Sequence, residues 1–297
     1  MIQIRNLGNH RLEVESKDRF EFGRNWQRFL RRLNPERIRS AELSIKQMLG
    51  CDSLSGKTFL DVGSGSGLFS LAARRLGARV VSFDYDPDCV VCTLQLKDTF
   101  FPEDQDWRIE RGSALDQEYL HGLGRFDVVY SWGVLHHTGA MWDALENMSP
   151  LVKQDGKLFI AIYNYQGKLS NLWRIVKRTY SRTPQGLRFA ILWPIGVFLV
   201  AGITIKDICR LQRPRTIFKS SSARGMSVWT DIVDWVGGYP FEVASPKQIV
   251  DFYQSRGFRL DRLVDCGRKL GCNRYVFTKC QGEATAANPG RSQSAGS

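Results

Sequence analysis

The sequence predicts a doubly wound α/β fold: a mostly parallel seven-stranded sheet with helices on both faces, an N-terminal helical cap and a late helical insertion. Three observations carry this expectation. From Lys57 to Asn164 short apolar runs alternate with helical stretches, and connections this short between them place parallel strands side by side with helices on both faces. The alternation breaks after Asn164 and resumes at Ser245, so the intervening residues are inserted late in one domain. The chain has 297 residues, 43% hydrophobic and 24% charged, which suffices for one substantial core and excludes a disordered or fibrous protein.

Taken in order, residues 19–50 read as two helices, with Asn34-Pro35 as punctuation and the proline in a first helical turn. They precede the first strand, and residues 1–50 are assigned as a cap. The core, 51–164, then runs TFLDVG as strand, LFSLAARRLG as helix, RVVSFD as strand and PDCVVCTLQLKDTFF as helix. It continues with the strands WRIERGS and RFDVVYSWG, the helix MWDALENMSPLV and the strand KLFIAIYN. Residues 165–244 form the insertion. A helix from Ser245 and two strands joined through a glycine-containing turn complete the domain over 245–280, and the polar tail 281–297 is expected to be disordered.

Charge is distributed unevenly. Gly167 to Arg224 holds twelve basic residues and one acid, Asp207; residues 1–50 hold eleven basic and six acidic residues; the remainder is mildly acidic. A basic insertion in an otherwise acidic chain implies a patch for an anionic partner, either lipid headgroups or nucleic acid. The seven cysteines form no dense framework and the N-terminus lacks the pattern of a secretory signal, so a cytoplasmic setting is expected. Cys89-Val-Val-Cys92 has no second pair and no histidine partner; it is expected to pack on a helix, and no metal is assigned.

Asp61-Val-Gly63-Ser64-Gly65-Ser-Gly67 follows a strand and opens a helix. Glycines there let the backbone turn sharply and approach a ligand, while free N–H groups at the helix start favour polar or anionic groups. Asp84, followed by Tyr85, ends the next strand, where a carboxylate can accept both hydroxyls of a ribose. Gly112-Ser113-Ala114-Leu115-Asp116 lies at the following strand end, where an adenine edge would be met. Turn and ribose acid together imply a nucleoside ligand.

The order of these pieces resembles a class I S-adenosylmethionine-dependent methyltransferase over residues 57–164 and 245–279. The resemblance implies that the turn of Gly63, Ser64, Gly65 and Gly67 holds the methionine part of the cofactor with Asp61 close to it. Asp84 would bind the ribose, Tyr85 is counted with the cofactor-binding residues, and Ser113 and Ala114 would flank the adenine. Many relatives carry an acid where Ser113 stands, which leaves the adenine N6 contact open.

Phe126 to Gly139 (FDVVYSWGVLHHTG) is a strand and the turn leaving its carboxyl end, so Trp132, His136 and His137 are expected at the cleft. Trp132 is counted with the cofactor-binding residues. For O-methylation an acceptor hydroxyl must lose its proton, and histidine is the natural base. The double histidine is similar to that of small-molecule O-methyltransferases of quinone- and sugar-modifying type. There one or both histidines are implicated in deprotonation, so His136, His137 and Tyr163 are the catalytic candidates, with one histidine free to serve only packing. The acid that some relatives place near Tyr163-Asn164-Tyr165 is absent.

Residues 189–205 contain no charge and are flanked by Lys177, Arg178, Arg182 and Arg188 before them and Lys206, Arg210, Arg213 and Arg215 after them. The run is shorter than the roughly 20 residues of a membrane-spanning helix, and Pro194, Gly196 and Gly202 weaken it. Two compatible expectations follow for 177–215: an interfacial element on a membrane, or a helical lid over the acceptor cleft. Trp229, Asp231, Asp234 and Trp235 suit a ring-shaped acceptor or a packed lid. The expected function is methyl transfer from S-adenosylmethionine to a hydroxyl of a small, amphiphilic or lipid-linked acceptor: a phenol, quinone precursor or sugar. The alternatives are a transferase acting on the tRNA wobble uridine, which Ser131 to Leu135 also resembles, and a non-catalytic methyltransferase-like subunit.

Overall fold

The computed structural model describes residues 19–20, 22–31, 33–197, 201, 233, 236–267 and 271–280. Two helices come first, α1 (Gly23–Leu30) and α2 (Pro35–Leu49). Asn34 starts α2 because its side chain accepts the Arg37 N–H at 3.0 Å and Pro35 needs no partner in the first turn; Gly50, left-handed at φ +67°, ends it. The core then runs β1 (Thr58–Val62), α3 (Leu68–Arg75), β2 (Arg79–Asp84), α4 (Pro87–Phe100), β3 (Trp107–Arg111), α5 (Gln117–Leu123), β4 (Phe126–Trp132), α6 (Met141–Met148) and β5 (Val152–Tyr163). After α7 (Lys168–Arg182) and a further helical stretch at 189–197, it closes with α8 (Pro246–Gln254), β6 (Phe258–Val264) and β7 (Cys272–Lys279).

The seven strands lie in the order β3-β2-β1-β4-β5-β7-β6. β1 to β5 are parallel, and β7 runs antiparallel to both of its neighbours. The order reverses between β1 and β4, and in such a sheet the crevice outside the carboxyl ends at the reversal is where ligands bind. Adjacent residues of β1 bury opposite ways: Leu60 and Val62 join Val129, Ile160 and Tyr275 on one face, while Phe59 joins Leu71, Trp107, Tyr130 and Phe159 on the other. A strand buried on both faces is a continuous apolar run, which is why TFLDV reads so plainly.

Two elements differ from expectation. Helix α5 has seven residues of which only Leu120 is buried, so no apolar stripe marks it in the sequence. β5 starts at Val152 rather than Lys157, because Lys153, Gln154 and Asp155 carry the strand through an irregularity with Asp155 at φ +59°. Polar residues at a bulge leave no period-two signal.

Tyr165 N donates to the Ala244 carbonyl and Ala244 N to the Tyr163 carbonyl, both at 3.1 Å, so the chain leaves the sheet and returns to it at adjacent points. None of the described helices is long and apolar enough to cross a membrane. Trp229, Asp231, Asp234, Trp235, the end of the 189–205 run and the tail from Gln281 lie outside the described residues. Cys89 and Cys92 are buried on α4, where burial pushes both thiols up, that of Cys92 to about 12.

Candidate active site

A cavity of about 1150 Å³ opens at the carboxyl ends of β1 to β5. It gathers most of the residues singled out from the sequence: Asp61, Gly63, Ser64, Gly65, Asp84, Tyr85, Ser113, Ala114, Trp132, His137 and Tyr163 all line it. Gly67 and His136 are not on its wall.

The glycines do different jobs. Gly63 has φ +76°, and a Cβ there would stand 2.4 Å from Val134 Cγ1, so the turn closes against the loop after β4 only without a side chain. Gly67 has φ +78° and sits behind the turn, where a Cβ would meet the Thr93 backbone at 2.9 Å; it seats the turn on α4 and does not touch the ligand space. Gly63→Ala is expected to destabilise the protein by roughly 1–3 kcal/mol, through strain at positive φ and overpacking. A thermal denaturation midpoint equal to that of the unmodified chain would refute this account of the turn.

Asp61, next to last in β1, is buried and accepts a 2.5 Å hydrogen bond from the Ser70 hydroxyl. A relay stands behind it, Trp107 Nε1 donating to Ser82 Oγ (2.9 Å) and Ser82 Oγ to Ser70 Oγ (2.7 Å). Burial pushes the Asp61 carboxyl up to about 7, against the Ser70 bond, and the charge of Asp84 adds to the rise. Beside it the Tyr130 hydroxyl is buried with no hydrogen-bond partner among the described residues. A carboxyl raised by burial in this way is returned toward its ionised form by a neighbouring cation.

Asp84 accepts from Gly65 N at 2.8 Å through one oxygen and from Asp86 N at 2.9 Å through the other. A carboxylate has about four lone-pair sites, so two remain to receive hydroxyl donors. Burial and then the charge of Asp86 push it up to about 6. Asp86 is itself occupied, capping α4 through Asp88 N and holding Gly23 N at 2.9 Å, which moors α1 beside the cavity. The Tyr85 ring stands near the Arg19 guanidinium (4.9 Å) and that of Arg111 (5.9 Å). Ser113 accepts Leu115 N through its hydroxyl, and the Ala114 carbonyl accepts Asn147 Nδ2, which fixes that turn at the far wall.

The two histidines sit in one turn of 3₁₀ helix and face different ways. His137 Nδ1 lies 2.6 Å from the Pro240 carbonyl oxygen. A carbonyl only accepts, so Nδ1 carries the proton and Nε2 is the ring's basic nitrogen. Burial, then the neighbouring charge of Lys177, pushes His137 down to about 3 against the Pro240 bond, so the ring is neutral at physiological pH. The Pro240 segment is pinned in turn: Glu242 N donates to the His136 carbonyl and Met141 N to Glu242 Oε2, each at 3.0 Å. His136 is wholly buried, its Nδ1 accepts the Tyr163 N–H at 3.4 Å, and its Nε2 has no partner among the described residues. Its ring packs 4.1 Å from that of Tyr163, which stands edge-on to His137 at 5.4 Å. Trp132 is stacked on Phe69 at 5.5 Å with Arg274 over it, toward the β5 side of the cavity.

Several residues that build or support the site carry no sequence signal. Pro240 acts through its carbonyl, 103 residues from its histidine. Arg19, Phe22 and Trp26 come from the cap, Trp26 lying 3.1 Å from where a Cβ on Gly65 would stand. Arg111 is nine-tenths buried, donates through Nε to the Tyr85 carbonyl, and has both terminal nitrogens without partners among the described residues.

A family model described as a methyltransferase domain matches residues 20–188. The ubiquinone biosynthesis O-methyltransferase of Xanthomonas euvesicatoria is 30% identical over 138 residues, 46% of this chain and 53% of that protein. The tRNA U34 carboxymethyltransferase of Pseudoalteromonas translucida is 26% identical over 179 residues, 56% of this chain and 48% of that protein. The chain thus spans about half the length of the curated relatives it matches. Among solved structures, magnesium protoporphyrin IX methyltransferase from Synechocystis, with bound SAH, superposes with a TM-score of 0.51 at 13% identity, over 86% of this chain and 93% of that one.

Proposed function

Because this chain belongs to the methyltransferase-domain family and carries its class I fold, we propose that it binds S-adenosylmethionine in the cavity and methylates a hydroxyl of a small or amphiphilic acceptor, with His137 as the base. The observation that carries this is the Nδ1–H of His137 held on the Pro240 carbonyl, which leaves Nε2 unprotonated and able to accept a proton in the same cavity as Asp61 and Asp84.

The residues present fit the cofactor. Asp61 and the Tyr130 hydroxyl, which has no partner among the described residues, suit the amino-acid end, the turn at Gly63 and Gly65 leaves backbone against the ligand, and the open lone pairs of Asp84 suit ribose hydroxyls. When bound, S-adenosylmethionine supplies a sulfonium methyl that leaves in line with an incoming oxygen. His137 receives the acceptor's proton at Nε2, and the Pro240 carbonyl, already hydrogen-bonded to Nδ1–H, stabilises the imidazolium that forms. Tyr163 lines the same cavity beside His137, so positioning of the acceptor contributes as well as proton transfer.

Asp61 sets a pH dependence. Its carboxyl is raised to about 7, and only the ionised form pairs with a cationic ligand, so affinity falls as pH falls through 7. Between pH 8 and pH 6 the dissociation constant is expected to rise about tenfold, with proton release on binding at pH 6. His137, held near 3, stays neutral over that range, so kcat at saturating cofactor should not fall with it. Calorimetry in two buffers of different ionisation enthalpy reads the proton count; no release at pH 6 would remove Asp61 from the cation site.

The direct test is titration of the full chain with S-adenosylmethionine and S-adenosylhomocysteine, followed by methyl uptake from labelled cofactor into phenolic and lipid-linked acceptors. Binding of neither nucleoside ends the enzyme reading.

A further inference from the structure

We propose that α7 and the helical residues 189–197 form a surface that docks on an anionic lipid bilayer. α7 turns Ser170, Lys177, Tyr180 and Ser181 inward, and this leaves Leu172 and Ile175 on its outer side, Ile175 64% exposed. The stretch 189–197 buries Leu192 against Tyr180 and Phe20, and exposes Phe189 (67%), Trp193 (66%) and Val197 on its other face. Those three are spaced by four, so they form one stripe along the helix. Leu187, in the short turn between the two helices, is exposed as well.

The charge around these side chains identifies the partner. Lys168, Arg174, Arg178 and Arg182 are exposed on α7, and no Asp or Glu occurs from Gly167 to Val197. Exposed aliphatic and aromatic residues among cations with no intervening acid are what an interfacial helix needs: apolar side chains for the acyl boundary, tryptophan for the headgroup level, and cations for anionic lipid. Tracking nucleic-acid phosphates requires the cations and leaves the apolar stripe unexplained. None of residues 165–197 lines the cavity, so the stripe does not serve as the inner side of a lid. The inner side of α7 nevertheless adjoins the reacting end, with Lys177 Nζ 5.4 Å from the Tyr163 ring and 4.8 Å from that of Phe241. A bilayer on the outer side of α7 would therefore lie one helix away from His137 and Tyr163, a short path for an amphiphilic acceptor.

Flotation of the full chain with vesicles of phosphatidylcholine alone and with 30% phosphatidylglycerol tests this. The partition coefficient is expected to be at least tenfold higher on the anionic vesicles and to fall in high salt. The double variant Phe189→Ser/Trp193→Ser should lose at least tenfold, and Arg178→Gln about fivefold, the effect of one basic residue near an anionic surface. S-adenosylhomocysteine affinity and the thermal midpoint should be unchanged in both, which separates loss of docking from loss of fold. Brominated lipid should quench tryptophan emission in the unmodified chain, with the quenching sharply reduced in Trp193→Phe. Three results would each overturn the proposal: no flotation at either composition, flotation indifferent to both variants, or a stable dimer in which Trp193 is shielded from iodide. The proposal does not depend on methyl transfer, so failure to bind S-adenosylhomocysteine would refute the proposed function and leave this test standing.

Discussion

His137→Ala is expected to lower kcat by about 10²–10⁴-fold, the usual contribution of a positioned general base, while cofactor affinity stays within a factor of about two. The split follows from geometry. His137 lines the cavity with Nε2 as its basic nitrogen, because Nδ1–H is committed to the Pro240 carbonyl, whereas the carboxylates assigned to the cofactor belong to other strands. His137→Asn keeps a polar side chain of similar reach without a basic nitrogen, and should fail in the same way as alanine. His136→Ala separates base from scaffold. That ring is wholly buried, packs against Tyr163 and is absent from the cavity wall, so its removal leaves a cavity and should cost about 2–4 kcal/mol of stability. Single-turnover rates beside calorimetry would decide. A His137→Ala protein that turns over normally would mean that a phenolic acceptor arrives already ionised, or that another group takes its proton.

The two histidines also show where the sequence stops being informative. Their placement in the turn after β4 follows from strand order, since Ser131-Trp132 ends an apolar strand and ligands meet the carboxyl ends of such strands. Which of them faces the cavity depends on one turn of 3₁₀ helix and on a carbonyl 103 residues away, and neither has a pattern in the chain. The central strands β1 and β4 were legible because strands buried on both faces are near-continuous apolar runs, whereas the more polar, part-exposed strands β3 and β6 were placed by the strand–helix alternation and the turns around them. Helix α5 and the first residues of β5 were not, because a helix with one buried residue and a bulged strand carry no period. Asp61 and Asp84 were legible as strand-end acids. The bond that ties Asp84 to the glycine turn was not, since the Gly65 N–H that it accepts comes from the backbone. The cap contributes Arg19, Phe22 and Trp26 to the cavity for the same reason: Gly23 N on Asp86 moors α1 there, and tertiary contacts of that kind leave no local mark.

Asp84→Ala is expected to weaken S-adenosylmethionine and S-adenosylhomocysteine binding equally, by about a hundredfold. Two charge-assisted hydrogen bonds to ribose hydroxyls are worth together about 3 kcal/mol or more, and each 1.4 kcal/mol is a factor of ten. Equal loss is the informative part. The two ligands differ only at the sulfur, so a ribose contact must affect both alike, whereas a change at the methyl-transfer end would distinguish them. The alanine variant also orphans the Gly65 and Asp86 N–H groups that Asp84 now accepts, and some of the loss could come from a loosened turn. Asp84→Asn separates the two. Its side-chain oxygen can still accept Gly65 N, keeping the glycine turn in place, while the amide nitrogen gives up the Asp86 N–H bond and presents a donor where a ribose hydroxyl needs an acceptor. If Asp84→Asn binds as poorly as Asp84→Ala while unfolding at the unmodified midpoint, the ribose contact is responsible. If it binds normally, Asp84 serves the turn alone, and the acid that recognises the nucleoside must be sought elsewhere on the cavity wall, with Asp116 the first to replace.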